Sequence, residues 1–537
     1  MRERSFILGI WIIIFFISSG LSLSAQVEET PLAQLYIERS LQAMQEGRWQ
    51  DAEMILERGY DFSSISSDLS YLLALVRFQL ERPIGSVLEL LRQATMTNRW
   101  NRYTPEAASL LEAQALIVVR QFEQAQQILQ TLFPTADVMY LQLKILALQN
   151  NQYQFSQLCD RAMNTYPLEP RFALLFFSYM NNKVPTSTDQ RLLTLFISRL
   201  PVLQRADPIL PVMAVPFIQD ADERRRHIEA YRALGYDSLP ILPLALEQGV
   251  IDESTVISEL FAHTSLPMEL LHRIWALLRT DESHRLFSKQ LSAFSGLITE
   301  DSDGDGQHEA KTEYRNGRII TYRYDANQDR IDEIIVTFDQ GLPKEGHVAP
   351  YEDSLDVKVF WDTYPIVEKL VTGDITYIPV PARFVYTPFK LEALVGSYPE
   401  ISLLYPKREP FLPRLTERSL VSFATKIIRP GTLASTSIET IDMKNGMPIR
   451  SIETLNGKII SILEFSLGQP LLQKLDMDLD GRLETVRRYR PGAFQTDPAK
   501  VLQYPEVYDS IESDWDGDGV FEYRELSSEA LKKTNKQ

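Results

Sequence analysis

The sequence predicts a multidomain α+β protein, in which an N-terminal all-α solenoid of helical repeats precedes an antiparallel β-meander domain whose hairpins carry calcium loops. Three observations predict this fold class. Apolar residues recur at helical spacing over residues 30–295, and short strand-like segments alternate with turn residues from about residue 297. Four acidic loops interrupt the strand-like part. The predicted segments are a signal peptide (1–25), helical repeats (26–168), a helical extension (169–296) and a calcium-binding β domain (297–537).

The first residues carry the pattern of a secretory signal. Arg2 and Arg4 precede an apolar run over 6–17, and small residues follow up to Ala25. We therefore expect export with cleavage near Ala25, to the periplasm or surface of a bacterial cell, and no transmembrane span in the mature chain. An uncleaved anchor is the alternative, because the apolar run extends toward Leu23 and a spanning helix needs about 20 apolar residues.

A short motif recurs in the helical part at a spacing near the roughly 34 residues of one helix-pair repeat. Each copy places a large apolar residue three positions before a small or short one, which is needed where two helices cross closely. The copies are Trp49 with Ala52, Ile84 with Val87, Phe122 with Ala125, and Tyr153 with Ser156. This pattern resembles tetratricopeptide repeats over about 30–168. The match is strongest at Gly47, Trp49 and Ala52, and at Phe122 and Ala125.

The repeats weaken along the chain. Pro83 and Val87 depart from the pattern in the second copy, and Ser156 departs from it in the fourth. Beyond the repeats the period is lost, although apolar spacing still predicts helices over 224–234 and 268–278. We therefore expect a helical extension between the repeats and the strand-like part.

The resemblance to tetratricopeptide repeats implies a binding role. Such arrays stack helix pairs around a continuous core and leave a concave face, which is their usual binding surface. A protein or peptide partner is the expected ligand of this part. A role as a spacer alone is the alternative, because repeat folds host unrelated functions.

Three Asn-Gly pairs mark hairpins in the last part of the chain. They are Asn316-Gly317, Asn445-Gly446 and Asn456-Gly457, and β-branched or aromatic residues surround each pair. Asn-Gly between two such runs is the strongest short hairpin signal, because both residues tolerate positive φ. The sequence therefore predicts an antiparallel meander of many short strands.

The four acidic loops share one spacing of oxygen ligands. We name them loop 1 (301–309), loop 2 (325–333), loop 3 (476–484) and loop 4 (514–522). Each has Asp or Asn at positions 1, 3 and 5 and Glu at position 9, while position 7 of such loops contributes its main-chain carbonyl to calcium. The predicted Ca²⁺ ligands are Asp301, Asp303, Asp305, Gln307, Glu309, Asp325, Asn327, Asp329, Ile331, Glu333, Asp476, Asp478, Asp480, Arg482, Glu484, Asp514, Asp516, Asp518, Val520 and Glu522.

Position 6 of each loop must turn sharply. Gly306, Gly481 and Gly519 supply a residue that adopts positive φ without a steric penalty. Arg330 holds this position in loop 2, where a Cβ atom disfavours the left-handed conformation. Loop 2 is therefore the weakest predicted site, and whether it binds metal is left open.

The loops resemble the nine-residue calcium loops that join strands in integrin-type β-propeller blades, and the resemblance covers the loops alone. An EF-hand instead takes a bidentate Glu from position 12 of a loop between two helices. Only loop 4 offers an acid there, Glu525. For loop 4 a hairpin and an EF-hand are both open.

Charge and motifs narrow the function. A net charge of −17 with a pI near 5.0 argues against nucleic acid as a partner. The only cysteine, Cys159, cannot form a disulfide within the chain. The sequence has no His-Glu-x-x-His zinc helix, no Gly-rich phosphate loop and no Gly-x-Ser-x-Gly motif. We expect an exported, non-catalytic scaffold that binds a protein partner.

Two other functions stay open. The first is a surface adhesin or glycan-binding protein in which the β domain does the recognition. The second is an exported hydrolase, because paired carboxylates can serve as acid and base in glycoside hydrolysis. The regular spacing of the acids is better explained by one metal ion in each loop.

Overall fold

The computed structural model describes residues 31–62, 65–181, 183–236, 238–349, 355–380, 384–393, 404–407, 415–489 and 508–526, and every structural statement below concerns these residues. The predicted signal peptide (1–25) lies outside them. The described chain has the predicted α+β organisation, with helices in the first part and an antiparallel sheet in the second.

Within the described residues the helices are α1 (Pro31–Gln45), α2 (Trp49–Phe62), α3 (Ser67–Gln79), α4 (Ile84–Thr97), α5 (Pro105–Val118), α6 (Phe122–Thr131), α7 (Ala136–Leu148), α8 (Gln152–Thr165), α9 (Pro170–Met180), α10 (Ser187–Leu203), α11 (Leu210–Ala214), α12 (Ala221–Ala233), α13 (Ile241–Glu247), α14 (Glu253–Leu260), α15 (Met268–Leu277), α16 (Asp281–Ala293) and α17 (Glu417–Phe423). The strands are β1 (Ser265–Pro267), β2 (Gly296–Glu300), β3 (Ala310–Arg315), β4 (Arg318–Tyr324), β5 (Ile334–Asp339), β6 (Leu342–Val348), β7 (Val357–Thr363), β8 (Ile366–Thr372), β9 (Ile375–Pro379), β10 (Lys390–Ala393), β11 (Leu404–Lys407), β12 (Ala424–Pro430), β13 (Ile438–Lys444), β14 (Met447–Leu455), β15 (Lys458–Ser466), β16 (Gln469–Leu475), β17 (Thr485–Arg488), β18 (Ser510–Ser513) and β19 (Tyr523–Leu526).

The chain divides into two compact units. The first takes the described parts of Met1–Gln290, Ile298–Glu309 and Asp325–Ile331. The second takes the described parts of Leu291–Leu297, Ala310–Tyr324 and Asp332–Gln537. Loop 1 and most of loop 2 therefore belong to the same unit as helices α1–α15 and most of α16, whereas loops 3 and 4 belong to the second unit.

Helices α1–α8 form four successive pairs whose internal turns share one geometry. The second residue of each turn has positive φ, with values of 74° at Gly47, 54° at Glu81, 61° at Arg120 and 57° at Asn150. The next N–H then reaches the carbonyl five residues back. These bonds run from Arg48 to Ala43 (2.8 Å), Arg82 to Arg77 (2.9 Å), Gln121 to Leu116 (2.9 Å) and Asn151 to Leu146 (3.0 Å). Each first helix therefore ends in a Schellman motif, which satisfies its last carbonyls and reverses the chain.

The small-residue positions of the repeat lie in the core, as predicted. Ala52, Val87 and Ala125 have no exposed surface, and Ser156 is only 3% exposed. The prediction for the aromatic partner was wrong in the fourth pair, where Tyr153 is 73% exposed. Phe155 is fully buried there instead and packs 6.3 Å from Phe176, measured between ring centroids. A helix rotates by about 100° per residue, so a shift of two positions along α8 moves the ring from the solvent to the core.

More helices follow the four pairs. Helices α9–α16 follow the four pairs, and α12 and α15 cover the two segments that apolar spacing predicted to be helical. One apolar cluster, with Phe155, Phe172, Phe176, Phe177 and Phe196 among its fully buried members, joins α8, α9 and α10. The core of the paired helices therefore continues into the extension.

The second unit contains a long antiparallel meander. Strands β3 to β9 pair in sequence order, β9 pairs with β12, and β12 to β19 again pair in sequence order. Strands β10 and β11 form a separate antiparallel pair. Burial alternates along β3 and β5, so one face of these strands is packed and the other faces solvent.

Five tight turns in this meander have two consecutive residues with positive φ. They are Asn316-Gly317, Gln340-Gly341, Asn445-Gly446, Asn456-Gly457 and Leu467-Gly468. Two left-handed residues define the turn type whose twist matches the flanking strands. The three Asn-Gly predictions are confirmed. The other two turns were missed because Gln and Leu rarely precede Gly in this way.

Candidate metal centres

All four acidic loops connect strands. Loop 1 joins β2 to β3, loop 2 joins β4 to β5, loop 3 joins β16 to β17, and loop 4 joins β18 to β19. Glu525 of β19 pairs with Ile511 of β18 across the ladder. The EF-hand alternative for loop 4 is therefore excluded, because strands and not helices flank this loop.

The acids converge in three of the four loops. Within each set, one ligand atom from every residue lies within 4.8 Å of one such atom from each of the others. The sets are Asp301, Asp303, Asp305 and Glu309; Asp476, Asp478, Asp480 and Glu484; and Asp514, Asp516, Asp518 and Glu522. The acids of loop 2 are not among the converging groups of the described residues. Metal binding by Asp325, Asn327, Asp329 and Glu333 stays a prediction.

The Asp at position 1 organises each loop by accepting the backbone N–H of position 6. The N···O distances are 2.8 Å for Gly306 to Asp301, 2.7 Å for Arg330 to Asp325, 2.8 Å for Gly481 to Asp476 and 2.9 Å for Gly519 to Asp514. All four loops therefore share one fold, including loop 2. Because one oxygen of the first Asp holds the loop closed, its carboxylate is oriented before any ion arrives.

The other predicted ligands are held in the same way. The N–H of position 7 donates to the Asp at position 5, at 2.8 Å for Gln307, 2.8 Å for Ile331, 2.7 Å for Arg482 and 2.7 Å for Val520. The Glu at position 9 accepts the N–H of position 2 in loops 1, 3 and 4, at 2.8, 2.7 and 2.7 Å. Ligation by the position 7 carbonyls stays a prediction.

Every loop has left-handed residues at both position 4 and position 6. At position 6 the φ values are 85° (Gly306), 69° (Arg330), 104° (Gly481) and 93° (Gly519). At position 4 they are 77° (Gly304), 59° (Gln328), 65° (Leu479) and 75° (Gly517). Arg330 thus adopts the required conformation despite its Cβ atom. Position 4 was missed, although glycine in two of the four loops was a signal for it.

The loops associate in pairs, and an equivalent backbone hydrogen bond joins the two loops of each pair. The N–H of the first Asp in the second loop donates to the carbonyl of the Glu in the first, at 2.8 Å from Asp325 to Glu309 and at 2.9 Å from Asp514 to Glu484. A cavity of about 130 Å³ lies between loops 3 and 4. Its lining includes Arg482 and Trp515. One carboxylate oxygen of Glu484 is buried and has no hydrogen-bond partner among the described residues.

Loop 1 concentrates negative charge in a partly buried place. The Asp305 side chain is 3% exposed, and Glu309 is also 3% exposed. Burial, followed by the charges of Asp305 and Glu309, raises the pKa of Asp303 to about 6. A cation between these carboxylates relieves their repulsion, and a set of hard oxygen donors suits calcium or magnesium better than a soft metal. The residues present therefore fit a divalent cation.

Within the part of the chain that the structure describes, no helix is long and apolar enough to cross a membrane.

Comparisons with known proteins complete this picture. No known family profile matches the chain. An uncharacterized protein of Treponema pallidum (strain Nichols) is 21% identical over 572 aligned positions, which cover 83% of this chain and 72% of the relative.

Among solved structures, the chain is similar to several proteins that are matched over nearly their whole length. PilF of Pseudomonas aeruginosa is 16% identical, with 39% of this chain and 94% of PilF covered at a TM-score of 0.31. A tetratricopeptide repeat protein of Parabacteroides merdae is 13% identical, with 49% of this chain and 100% of that protein covered at a TM-score of 0.34.

Proposed function

We propose that this protein is an exported, non-catalytic scaffold. Its helical array binds a protein or peptide partner, and calcium ions in the acidic loops stabilise its hairpins. The helical array supplies the binding role because stacked helix pairs present an extended surface built from successive repeats. The acid sets of loops 1, 3 and 4 supply the calcium role.

One observation on the array carries the binding proposal. A large apolar residue is exposed at or just beyond the end of the second helix in each pair. The exposed fractions are 71% at Phe62, 79% at Met96, 79% at Phe133 and 67% at Leu168. Single exposed apolar residues are common on protein surfaces, whereas an apolar strip marks a contact site. These four residues recur at one place in four successive pairs, and we call them the apolar edge.

The apolar edge is distinct from the edge that carries the left-handed turns. Paired helices run antiparallel, so the turns inside the pairs lie at one edge of the array and the ends of the second helices lie at the other. Exposed charged residues such as Asp61 and Arg99 lie close in sequence to the apolar residues, so the apolar edge suits an amphipathic segment of a partner protein. Such a segment binds by covering large side chains that are otherwise in water.

A crosslinking experiment tests the binding proposal. A photoreactive residue is placed at Met96 or Phe133 in the full chain, and at Val184 as a control, because Val184 is 86% exposed and lies outside the apolar edge. We expect a discrete adduct with one protein from positions 96 and 133 and none from position 184. Equal adducts from all three positions, or none from 96 and 133, would reject the apolar edge as the docking surface.

Calcium is the cation that we propose for loops 1, 3 and 4. Each set offers four carboxylates, to which the predicted position 7 carbonyl adds a main-chain oxygen. Calcium accepts such a number of oxygens with little demand on geometry, whereas magnesium requires a near-ideal octahedron. Exported modules bind calcium at about 10⁻⁴–10⁻³ M, where it serves as a permanent structural ion. We therefore assign the ion a stiffening role and not a sensing role.

Terbium luminescence tests the calcium proposal at a single loop. Trp515 occupies position 2 of loop 4 and is 67% exposed, so its excitation transfers energy to a terbium ion bound there. We expect a terbium signal that calcium displaces, that Asp516→Ala removes, and that the matched loop 3 variant Asp478→Ala retains. A signal that survives Asp516→Ala would show that loop 4 is not the site.

Export rests on the N-terminal pattern, and the mature N-terminus tests it. Cleavage near Ala25 predicts a native protein that begins close to Gln26. Mass spectrometry of the protein from its own cells measures this directly. A protein that retains residues 6–17 would instead support the uncleaved anchor.

A further inference from the structure

Loop 2 is fastened to the second helix pair. The guanidinium of Arg330 lies 4.8 Å from the centre of the Phe78 ring and donates a 2.8 Å hydrogen bond to the Phe78 carbonyl near the end of α3. The N–H of Ile84, the first residue of α4, donates to the carbonyl of Asp329 at 2.9 Å. All these residues belong to the first compact unit. The residue that replaces glycine in loop 2 thus holds the loop on the turn of this pair.

Loop 1 is fastened to the third helix pair. Arg120, the left-handed residue between α5 and α6, places Nη2 2.8 Å from a carboxylate oxygen of Asp303 and Nε 3.8 Å from one of Asp305. These residues also belong to the first unit. A carboxylate has two oxygens, so Asp303 can ligate an ion through one oxygen and retain Arg120 on the other.

The two loops are joined to each other at a predicted ligand. The side-chain amide of Gln328 in loop 2 donates to a carboxylate oxygen of Glu309 in loop 1 at 2.9 Å. The N–H of Asp325 donates to the Glu309 carbonyl at 2.8 Å. Partners behind a metal ligand orient it and tune the metal site. Loop 2 therefore supports the metal site of loop 1.

We propose that a divalent cation in loop 1 closes a link between the second and third helix pairs and so stiffens the helical array. The proposal rests on calcium binding by loop 1. The link runs through Phe78, Arg330, Gln328, Glu309, the cation, Asp303 and Arg120. Without the cation, the carboxylates of Glu309 and Asp303 repel each other, and the chain of contacts is interrupted between these two residues. With the cation, both carboxylates hold one ion, and the two turns are kept at a fixed spacing.

Coupling of this kind is reciprocal. If the ion stiffens the array, a partner that needs the stiff array raises the affinity of loop 1 for calcium by the same factor. Loops 3 and 4 lie in the second unit and take no part in this link. Loops 3 and 4 therefore serve as an internal control, because we expect ions bound there to leave hydrogen exchange at the helical turns unchanged.

Hydrogen exchange on the full chain tests the proposal. The reporter amides are those of Arg82 and Gln121, which donate across the two linked turns, and the amide of Arg48 in the first pair is the internal reference. Calcium in place of EDTA should slow exchange at both reporters about fivefold, the lower range of measured allosteric couplings, and leave Arg48 unchanged. Gln328→Ala removes a support and no predicted ligand, so it should abolish most of this slowing.

The controls separate failure of the link from failure of calcium binding. Calcium stoichiometry is measured by calorimetry on the same samples. Asp301→Asn should remove one ion and the slowing together, whereas Asp478→Asn should remove one ion and retain the slowing. The link would be overturned, and the metal site retained, if Asp301→Asn binds one ion fewer than the wild type but calcium does not slow exchange in the wild type. Unchanged stoichiometry in Asp301→Asn would overturn the metal site itself. Arg120→Gln, at an exposed turn, provides a second test of the link if Gln328→Ala does not fold.

Discussion

Asp303 gives the clearest quantitative prediction, in the form of a pH dependence of stability without metal. Burial and the neighbouring acids raise the pKa of its carboxyl from 3.8 to about 6. The folded protein therefore holds this proton more tightly than the unfolded chain does. It follows that the contribution of Asp303 to the free energy of unfolding, without metal, falls as the pH rises from about 4 to about 6.

The size of this effect follows from the pKa difference. A change from 3.8 to about 6 corresponds to about 3 kcal/mol at full strength. The carboxyl is partly exposed and is paired with Arg120, so solvent screening reduces the expected effect to about 1 kcal/mol. In Asp303→Asn this contribution is absent.

Urea denaturation in EDTA at a series of pH values measures the effect. The difference in free energy of unfolding, wild type minus Asp303→Asn, should fall by about 1 kcal/mol between pH 4 and pH 7. In excess calcium the trend should reverse, because protons then compete with the ion for the same oxygens. Asp478→Asn, an exposed acid at the same position of loop 3, controls for the loss of a charge. A difference that stays constant with pH in EDTA would refute this account of loop 1.

Three further predictions concern stability. Arg429→Ala leaves the carboxylate of Glu439 (2% exposed, 2.7 Å from Arg429) without its cation and should cost about 3 kcal/mol in urea denaturation. Arg488→Ala should cost under about 1 kcal/mol, because Arg488 is itself exposed and its partner Glu512 retains Arg524; equal costs would contradict the buried-pair argument. Asp68→Ala removes a fully buried carboxylate that accepts three backbone N–H groups at 2.7–3.1 Å, so the helical unit should lose about 3 kcal/mol by the same measurement; a loss under about 1 kcal/mol would show that these bonds are replaceable. An ion in loop 4 should stabilise the folded chain by about 2.7 kcal/mol at a hundredfold excess of calcium over Kd, so Asp516→Ala should reduce the calcium-dependent rise in Tm. An unchanged rise in calorimetric scans would argue against that site.

The sequence predicted the parts of the fold that depend on local chemistry. Helix pairs follow from apolar spacing, and the closely packed positions follow from residues such as Ala52 and Ala125. Tight turns follow from Asn-Gly. The aromatic of the fourth pair was misplaced because Tyr153 has the three-residue spacing to Ser156 and Phe155 does not, and only packing shows that Phe155 faces the core. The left-handed turns at Glu81 and Arg120 gave no sequence signal, since the surrounding helices impose that conformation.

The sequence indicated the converging acids of the candidate site but not their surroundings. Spacing alone indicated the acids of loops 1, 3 and 4, because alternate positions of a curled loop face one centre. The role of Arg330 could not be predicted, since its contact with Phe78 joins residues far apart in the chain. From the sequence, Arg330 appeared only as a poor substitute for glycine. The structure explains its presence by the hydrogen bond and ring contact that it makes with α3.

Calorimetric titration of the full chain with calcium tests directly whether the converging acids bind divalent ions. We expect saturable binding of one ion for each converging set, in loops 1, 3 and 4, and a loss of one ion each in Asp301→Asn, Asp476→Asn and Asp514→Asn. A further ion in the wild type would assign metal binding to loop 2 as well. The absence of binding up to millimolar calcium, with the same Tm in calcium and in EDTA, would contradict the account.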